Sequence, residues 1–125
     1  DYIVDAIDLV SCKLDLAETA RRLKIPLMMA LGTGNKLDPS QLRLADISET
    51  YGCPLARVMR KELRNRGICR QPVVFSPEQP APTTQREPPP PGRRSVPASN
   101  PWVPAVAGLL IGSKVVRDLI ANKGV

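Results

Sequence analysis

Tyr2-Ile3-Val4-Asp5-Ala6-Ile7-Asp8 is a short apolar run that ends in carboxylates, and a helical pattern starts directly behind it. A buried parallel strand delivers acidic side chains in this way to the carboxyl edge of an α/β sheet, the edge where such folds bind ligands. The chain opens inside this strand, without a methionine, which predicts the back part of a larger α/β domain already under way at residue 1.

Outward from that strand, Leu14, Leu16, Ala17, Ala20 and Leu23 recur at helical spacing and predict a helix over Val10 to Lys24, with Lys13, Glu18, Arg21 and Arg22 mostly off the apolar face. After Pro26, the run Leu27-Met28-Met29-Ala30-Leu31 is short enough for a buried strand, and Gly32-Thr33-Gly34-Asn35 follows as a turn. Alternation over Gln41 to Ile47 predicts another strand. Pro54 suits a first helical turn and Gly67 a stop, giving a helix over Pro54 to Arg66. Its apolar stripe is Leu55, Val58, Met59 and Leu63; Arg57, Arg60, Lys61 and Arg64 form a second, basic stripe. Val73-Val74-Phe75 is a short strand, and Pro101 to Lys123 closes the chain as a helix.

Between these last two, Pro77 to Asn100 is proline-rich and polar, with Pro88-Pro89-Pro90-Pro91 at its centre. It has too few apolar residues to offset the entropy of ordering and predicts a disordered or polyproline-like insert. The expected organisation is therefore α/β: residues 1–76 as part of a domain, 77–100 as a linker or insert, and 101–125 as a helix that packs on the domain or on a partner.

Composition removes several chemistries. The 125 residues contain no histidine, which excludes a Ser-His-Asp triad, a Cys-His dyad and the usual zinc-bound water within this chain. The three cysteines, Cys12, Cys53 and Cys69, form no CxxC pair, which argues against a disulfide framework or a four-ligand zinc site and suits a reduced, cytoplasmic setting. The apolar run from Val103 to Ile111 is too short to span a bilayer, so no stable membrane insertion is expected. A net charge of +6 suits a polyanionic partner as well as a solvated basic surface.

Three features could carry chemistry. Asp5 and Asp8 at the strand end are the right groups for a magnesium–nucleotide complex, which needs one or two carboxylates plus phosphates; the pattern alone favours Asp8 as the cap of the following helix, and the place of Asp5 also suits a buried hydrogen-bonding role. Gly32-Thr33-Gly34 lacks the third glycine of a dinucleotide fingerprint and reads as a tight turn. Cys53, ahead of Pro54 at a helix start, is either a thiolate stabilised by the helix end or a small buried residue.

Asp5-Ala6-Ile7-Asp8 with Lys13 behind it, then Lys24-Ile25-Pro26-Leu27, resembles the middle of the ThiF/MoeB/HesA superfamily, relatives of ubiquitin-activating enzymes. Gly32-Thr33-Gly34-Asn35-Lys36-Leu37-Asp38-Pro39, Ala45 to Thr50, Cys53 to Leu63, Val73 to Ser76 and Val103 to Leu109 follow in the order seen in the tRNA threonylcarbamoyladenosine dehydratases. The resemblance covers most of the chain except the proline-rich insert. It implies the C-terminal part of a Rossmann-like domain that binds ATP and magnesium and adenylates the threonylcarbamoyl carboxylate of tRNA for cyclising dehydration. Asp8 matches the acid that contacts magnesium–ATP. The resemblance also implies a homodimer, and a tRNA substrate favours Arg57, Arg60, Lys61 and Arg64 as a phosphate-binding face. The phosphate loop, the ribose-binding acid and the Arg/Lys contacts of the family are expected before residue 1, so activity is expected of a longer protein rather than of this stretch alone. Two other readings stay open: an activator of a sulfur-carrier or ubiquitin-like protein partner, and a non-enzymatic remnant that only binds or dimerises.

Overall fold

The computed structural model describes residues 1–82, 84, 86–91 and 97–122. Four strands form one sheet in the order β1-β2-β4-β3. They are β1 (Ile3–Asp5), β2 (Leu27–Ala30), β3 (Arg43–Asp46) and β4 (Pro72–Phe75). β1 and β4 both run parallel to β2, and β3 is antiparallel to β4. α1 (Val10–Leu23) connects β1 to β2, α2 (Pro54–Asn65) connects β3 to β4, and α3 (Val103–Asn122) follows β4.

Strand side chains alternate between two apolar layers, so the middle strands are apolar at every position, as a sheet covered on both faces requires. Met29, Val73 and Phe75 point to one side and pack with Leu14, Ala17 and Ala20 of α1 and Ala56, Met59 and Leu63 of α2. Met28 and Val74 point to the other and meet Val103, Ala107 and Ile111 of α3. The result is a three-layer α/β/α arrangement, with β1 and β3 as the edges.

Local chemistry explains the boundaries. Pro54 occupies the first turn of α2, and Gly67, at φ 75°, lets Ile68 N–H return to the Leu63 carbonyl at 2.9 Å. Lys24 ends α1 in the left-handed region at φ 56°. The expected strand over Gln41 to Ile47 is shorter, because single 3-10 turns take both ends. The Asp38 carboxylate caps Pro39–Gln41, and a reciprocal capping box between Asp46 and Glu49 sets Ile47–Glu49. The buried strand expected over Tyr2 to Ile7 is reduced to Ile3–Asp5 and lies at the edge of the sheet, since Asp5 accepts the Ile7 N–H at 2.8 Å and turns the chain. The Asn100 side chain accepts Trp102 N–H and Val103 N–H, which starts α3 two residues after Pro101; Lys123 lies outside the described residues.

The proline-rich insert is anchored at both ends. Glu78 accepts the N–H groups of Leu37 and Asp38 at 2.7 and 2.8 Å, and Ala81 N–H reaches the Asn35 carbonyl at 2.6 Å. From the other end, the Ala98 carbonyl accepts Asn35 N–H at 2.6 Å, Asn100 donates to the Lys36 carbonyl at 3.0 Å, and Trp102 Nε1 donates to the Leu37 carbonyl at 2.7 Å. Polar side chains and backbone pairing, rather than apolar burial, order these flanks. Of the rest of the expected disordered insert, residues 83, 85 and 92–96 lie outside the described residues.

Candidate nucleotide cleft and basic groove

The carboxyl ends of β1 and β2 open into a cleft of about 550 Å³. Ala6, Ile7 and Asp8 form one side, Ala30 to Lys36 the floor and turn, Cys53 to Leu55 a second side, and Pro80, Pro97 and Ser99 of the insert flanks a third. Ligands of open parallel sheets bind at this edge because the strand ends leave a crevice there.

Asp5 and Asp8 leave the same turn in different directions. Asp5 is fully buried, and its Oδ1 accepts from Ile7 N–H and from Lys13 Nζ at 3.2 Å. It anchors the turn beneath the cleft, the buried hydrogen-bonding role that its place in the pattern also suits. Asp8 is exposed at the cleft wall. The cap position of α1 falls on Leu9, one residue after Asp8, and makes no side-chain cap hydrogen bond. Asp8 lies close enough to Lys13 for its charge to favour the ammonium.

Lys13 was expected off the apolar face, yet it is only 1% exposed and lines the cleft. Its Nζ donates to the Ala30 carbonyl at 2.6 Å as well as to Asp5. Burial lowers its pKa, against which Asp5 and Asp8 work. Lys13 shares the i, i+4, i+7 row with Ala17 and Ala20, but a lysine in that row gives no local sign of burial. Lys36 is also buried, with Nζ donating to the Ser76 carbonyl at 2.7 Å. It ties the turn after β2 to the end of β4.

The basic stripe of α2 borders a second, open depression of about 790 Å³, lined by Gly52, Cys53, Pro54 and Val58 together with Arg57, Arg60, Lys61 and Arg64. Cys53 and Pro54 line both cavities, so the groove and the cleft share a rim. Arg57, Lys61 and Arg64 are exposed. Arg60 is not equivalent to them: its guanidinium donates to the Thr50 carbonyl at 2.9 Å and to Thr50 Oγ1 at 2.8 Å. Val58, expected in the apolar stripe, is 45% exposed beside these cations, and Ala56 takes its place in the core. Cys53 is buried in the core cluster and makes no capping bond, so it packs as a small apolar residue.

Among the described residues, no group of three or more Asp, Glu, Cys or His side chains could hold a metal by itself. Also among them, no helix is long and apolar enough to cross a membrane. All three cysteines are free.

No family model matches the chain. Individual relatives do. The tRNA threonylcarbamoyladenosine dehydratase of Bacillus subtilis is 37% identical over 131 residues, covering 98% of this chain and 52% of the relative. Dehydratase 2 of Saccharomyces cerevisiae is 45% identical over 83 residues, 66% of this chain and 19% of that protein. The crystal structure of the Escherichia coli enzyme in complex with ATP superposes with a TM-score of 0.80 at 29% identity, covering 98% of this chain and 49% of that one; the AMP complex gives 0.78. The chain thus spans about half the length of the curated relative and of the solved structures that it matches along its whole extent. By sequence and by fold, it belongs with the tRNA threonylcarbamoyladenosine dehydratases, as a stretch corresponding to about half of such a protein.

Proposed function

We propose that the chain forms part of an ATP-dependent enzyme that activates the carboxylate of threonylcarbamoyladenosine in tRNA, so that it cyclises with loss of water. The observation that carries this reading is the cleft at the ends of β1 and β2, where an exposed carboxylate, Asp8, stands beside the buried cation Lys13 and the Gly32–Asn35 turn. The likeness to a relative solved with ATP supports it.

The donor set fits a magnesium–nucleotide complex of a particular kind. Magnesium is commonly held by one or two carboxylates together with substrate phosphates rather than by an all-protein cage. Asp8 is the one strand-end carboxylate facing the cleft, since Asp5 is enclosed. Asp8 would hold the ion, and the Gly32–Lys36 turn would border the nucleotide. ATP would supply the adenylyl group that makes the carboxylate reactive.

The groove beside the cleft suits the tRNA. Arg57, Lys61 and Arg64 project from one helix face, and among the described residues none of them has an ion-pair partner. Such a cluster neutralises backbone phosphates and releases their counterions. The rim shared by groove and cleft favours one continuous path from the phosphates to the activated group. A homodimer is part of the proposal. Leu109, Val116 and Ile120 lie along one side of α3 at 73%, 55% and 46% exposure, an apolar surface of the kind that a second copy covers. A tRNA-modifying enzyme with three free cysteines also suits a cytoplasmic setting.

The test is Asp8→Asn in the full-length protein, read by calorimetric titration of ATP with and without magnesium and by AMP formation in the presence of tRNA. Weaker magnesium-dependent ATP binding and lower AMP output are expected. Unchanged values on both would remove Asp8 from the site.

A further inference from the structure

Lys13 is the least expected residue in the molecule. It sits in an otherwise apolar helix face with Leu14, Ala17 and Ala20, where an apolar side chain of similar size would avoid the desolvation of a buried ammonium. Its bonds show what the charge does there. Nζ reaches the Ala30 carbonyl at the end of β2 and Asp5 Oδ1 at the end of β1, at 2.6 and 3.2 Å. One cation therefore ties together the two strand ends that open into the cleft. The same Asp5 oxygen accepts the Ile7 N–H at 2.8 Å, immediately before Asp8. The other Asp5 oxygen, Oδ2, is buried with no hydrogen-bond partner. With one oxygen unsatisfied, the orientation of the Asp5 carboxylate depends on Lys13 and Ile7 alone.

We propose that Lys13 is a positioning residue for the nucleotide site: by holding Asp5, and through it the Ile7 N–H, it sets the Ala6–Asp8 turn so that the Asp8 carboxylate meets the magnesium–ATP complex. The inference rests on the proposed function, because it takes Asp8 as the metal-contacting group. The Lys13 ammonium acts from behind, with its Nζ engaged by Asp5 and by the Ala30 carbonyl. Side chains that orient a metal-binding group from behind typically matter about 10- to 100-fold in metal affinity.

The experiment is a double-mutant cycle in the full-length protein with Asp8→Asn, Lys13→Met and the combination, each titrated with ATP alone and with ATP plus magnesium. Lys13→Met is expected to weaken ATP binding in magnesium by about tenfold or more and to leave metal-free ATP binding unchanged. Combined with Asp8→Asn, it should add no further loss. Equal losses with and without magnesium, or losses that simply add, would make Lys13 a structural residue and overturn the proposal while leaving the Asp8 reading intact. No effect of Asp8→Asn on magnesium–ATP binding would overturn the Asp8 reading and this inference with it. Where Lys13→Met yields no soluble protein, the pair Asp5→Asn and Lys13→Met replaces it. That pair removes both buried charges, keeps an oxygen acceptor for Ile7 N–H, and is expected to fold with the same selective loss in magnesium; full magnesium-dependent affinity in it would equally overturn the proposal.

Discussion

Replacing Arg57, Lys61 and Arg64 by Ala should flatten the salt dependence of tRNA binding by a calculable amount. These three cations are exposed on the groove, whereas Arg60 holds Thr50 and is left in place so that the loop before α2 keeps its shape. Each phosphate neutralised contributes about 0.7 to 0.9 to the slope of log affinity against log salt, so three contribute roughly 2 to 3. Between about 50 and 200 mM salt, the unmodified protein should therefore lose about 20- to 40-fold more affinity than the variant. Fluorescence anisotropy with labelled tRNA, titrated at several salt concentrations, measures both slopes. Exposed positions of this kind shift stability by only about 0.5 kcal/mol each, so thermal unfolding should be nearly unchanged and serves as the control. Equal slopes for the two proteins would refute the reasoning and make the stripe a solvated helix face.

Three further outcomes test the architecture. Gly52 has φ 71°, and a Cβ there would lie 2.6 Å from the Pro77 carbonyl oxygen, so Gly52→Ala combines backbone strain with overpacking at the start of the insert. A loss of about 2–5 kcal/mol is expected, seen as a fall in Tm of roughly 5–15 °C by calorimetry, and an unchanged Tm would contradict the geometry. The Tyr2 hydroxyl is pushed up to about 12 by partial burial and then by its bond to Asp118. The folded state keeps that proton more tightly than the unfolded one, so the contribution is full below pH 10 and is lost as pH rises from 10 towards about 12; urea unfolding across that window should show Tyr2→Phe losing this part of the alkaline sensitivity. Leu109→Glu with Val116→Glu, read by light scattering, should convert a dimer to monomers; an unaltered mass would place the subunit contact elsewhere.

Apolar periodicity marked every main helix and strand because each packs against the sheet or another layer, and that packing selects residues at fixed intervals. Lys13 escaped the same reading. A lysine ordinarily marks solvent, and only the position of Asp5, eight residues away in sequence and adjacent in space, explains its burial. Spacing left the exposure of Val58 and the bonds of Arg60 to Thr50 unread for a related reason: it shows which residues share a face, but whether that face meets solvent or the Thr50 loop depends on tertiary packing. The flanks of the insert were illegible because their order comes from long-range bonds, Asp38 N–H to Glu78, Ala98 N–H to Asn35 and Asn100 to the Lys36 carbonyl, which leave no local pattern. Asp8 was legible as a candidate from its place at the strand end; its direction, into the cleft while Asp5 turns inward, came only from the fold.

The most direct measurement is mass spectrometry of nucleosides from tRNA incubated with the full-length protein, ATP and magnesium. The account predicts that threonylcarbamoyladenosine is converted to a product lighter by one water, with AMP formed alongside it, and that Asp8→Asn suppresses both. Unchanged threonylcarbamoyladenosine, with ATP cleaved instead in the presence of a ubiquitin-like or sulfur-carrier protein, would contradict it.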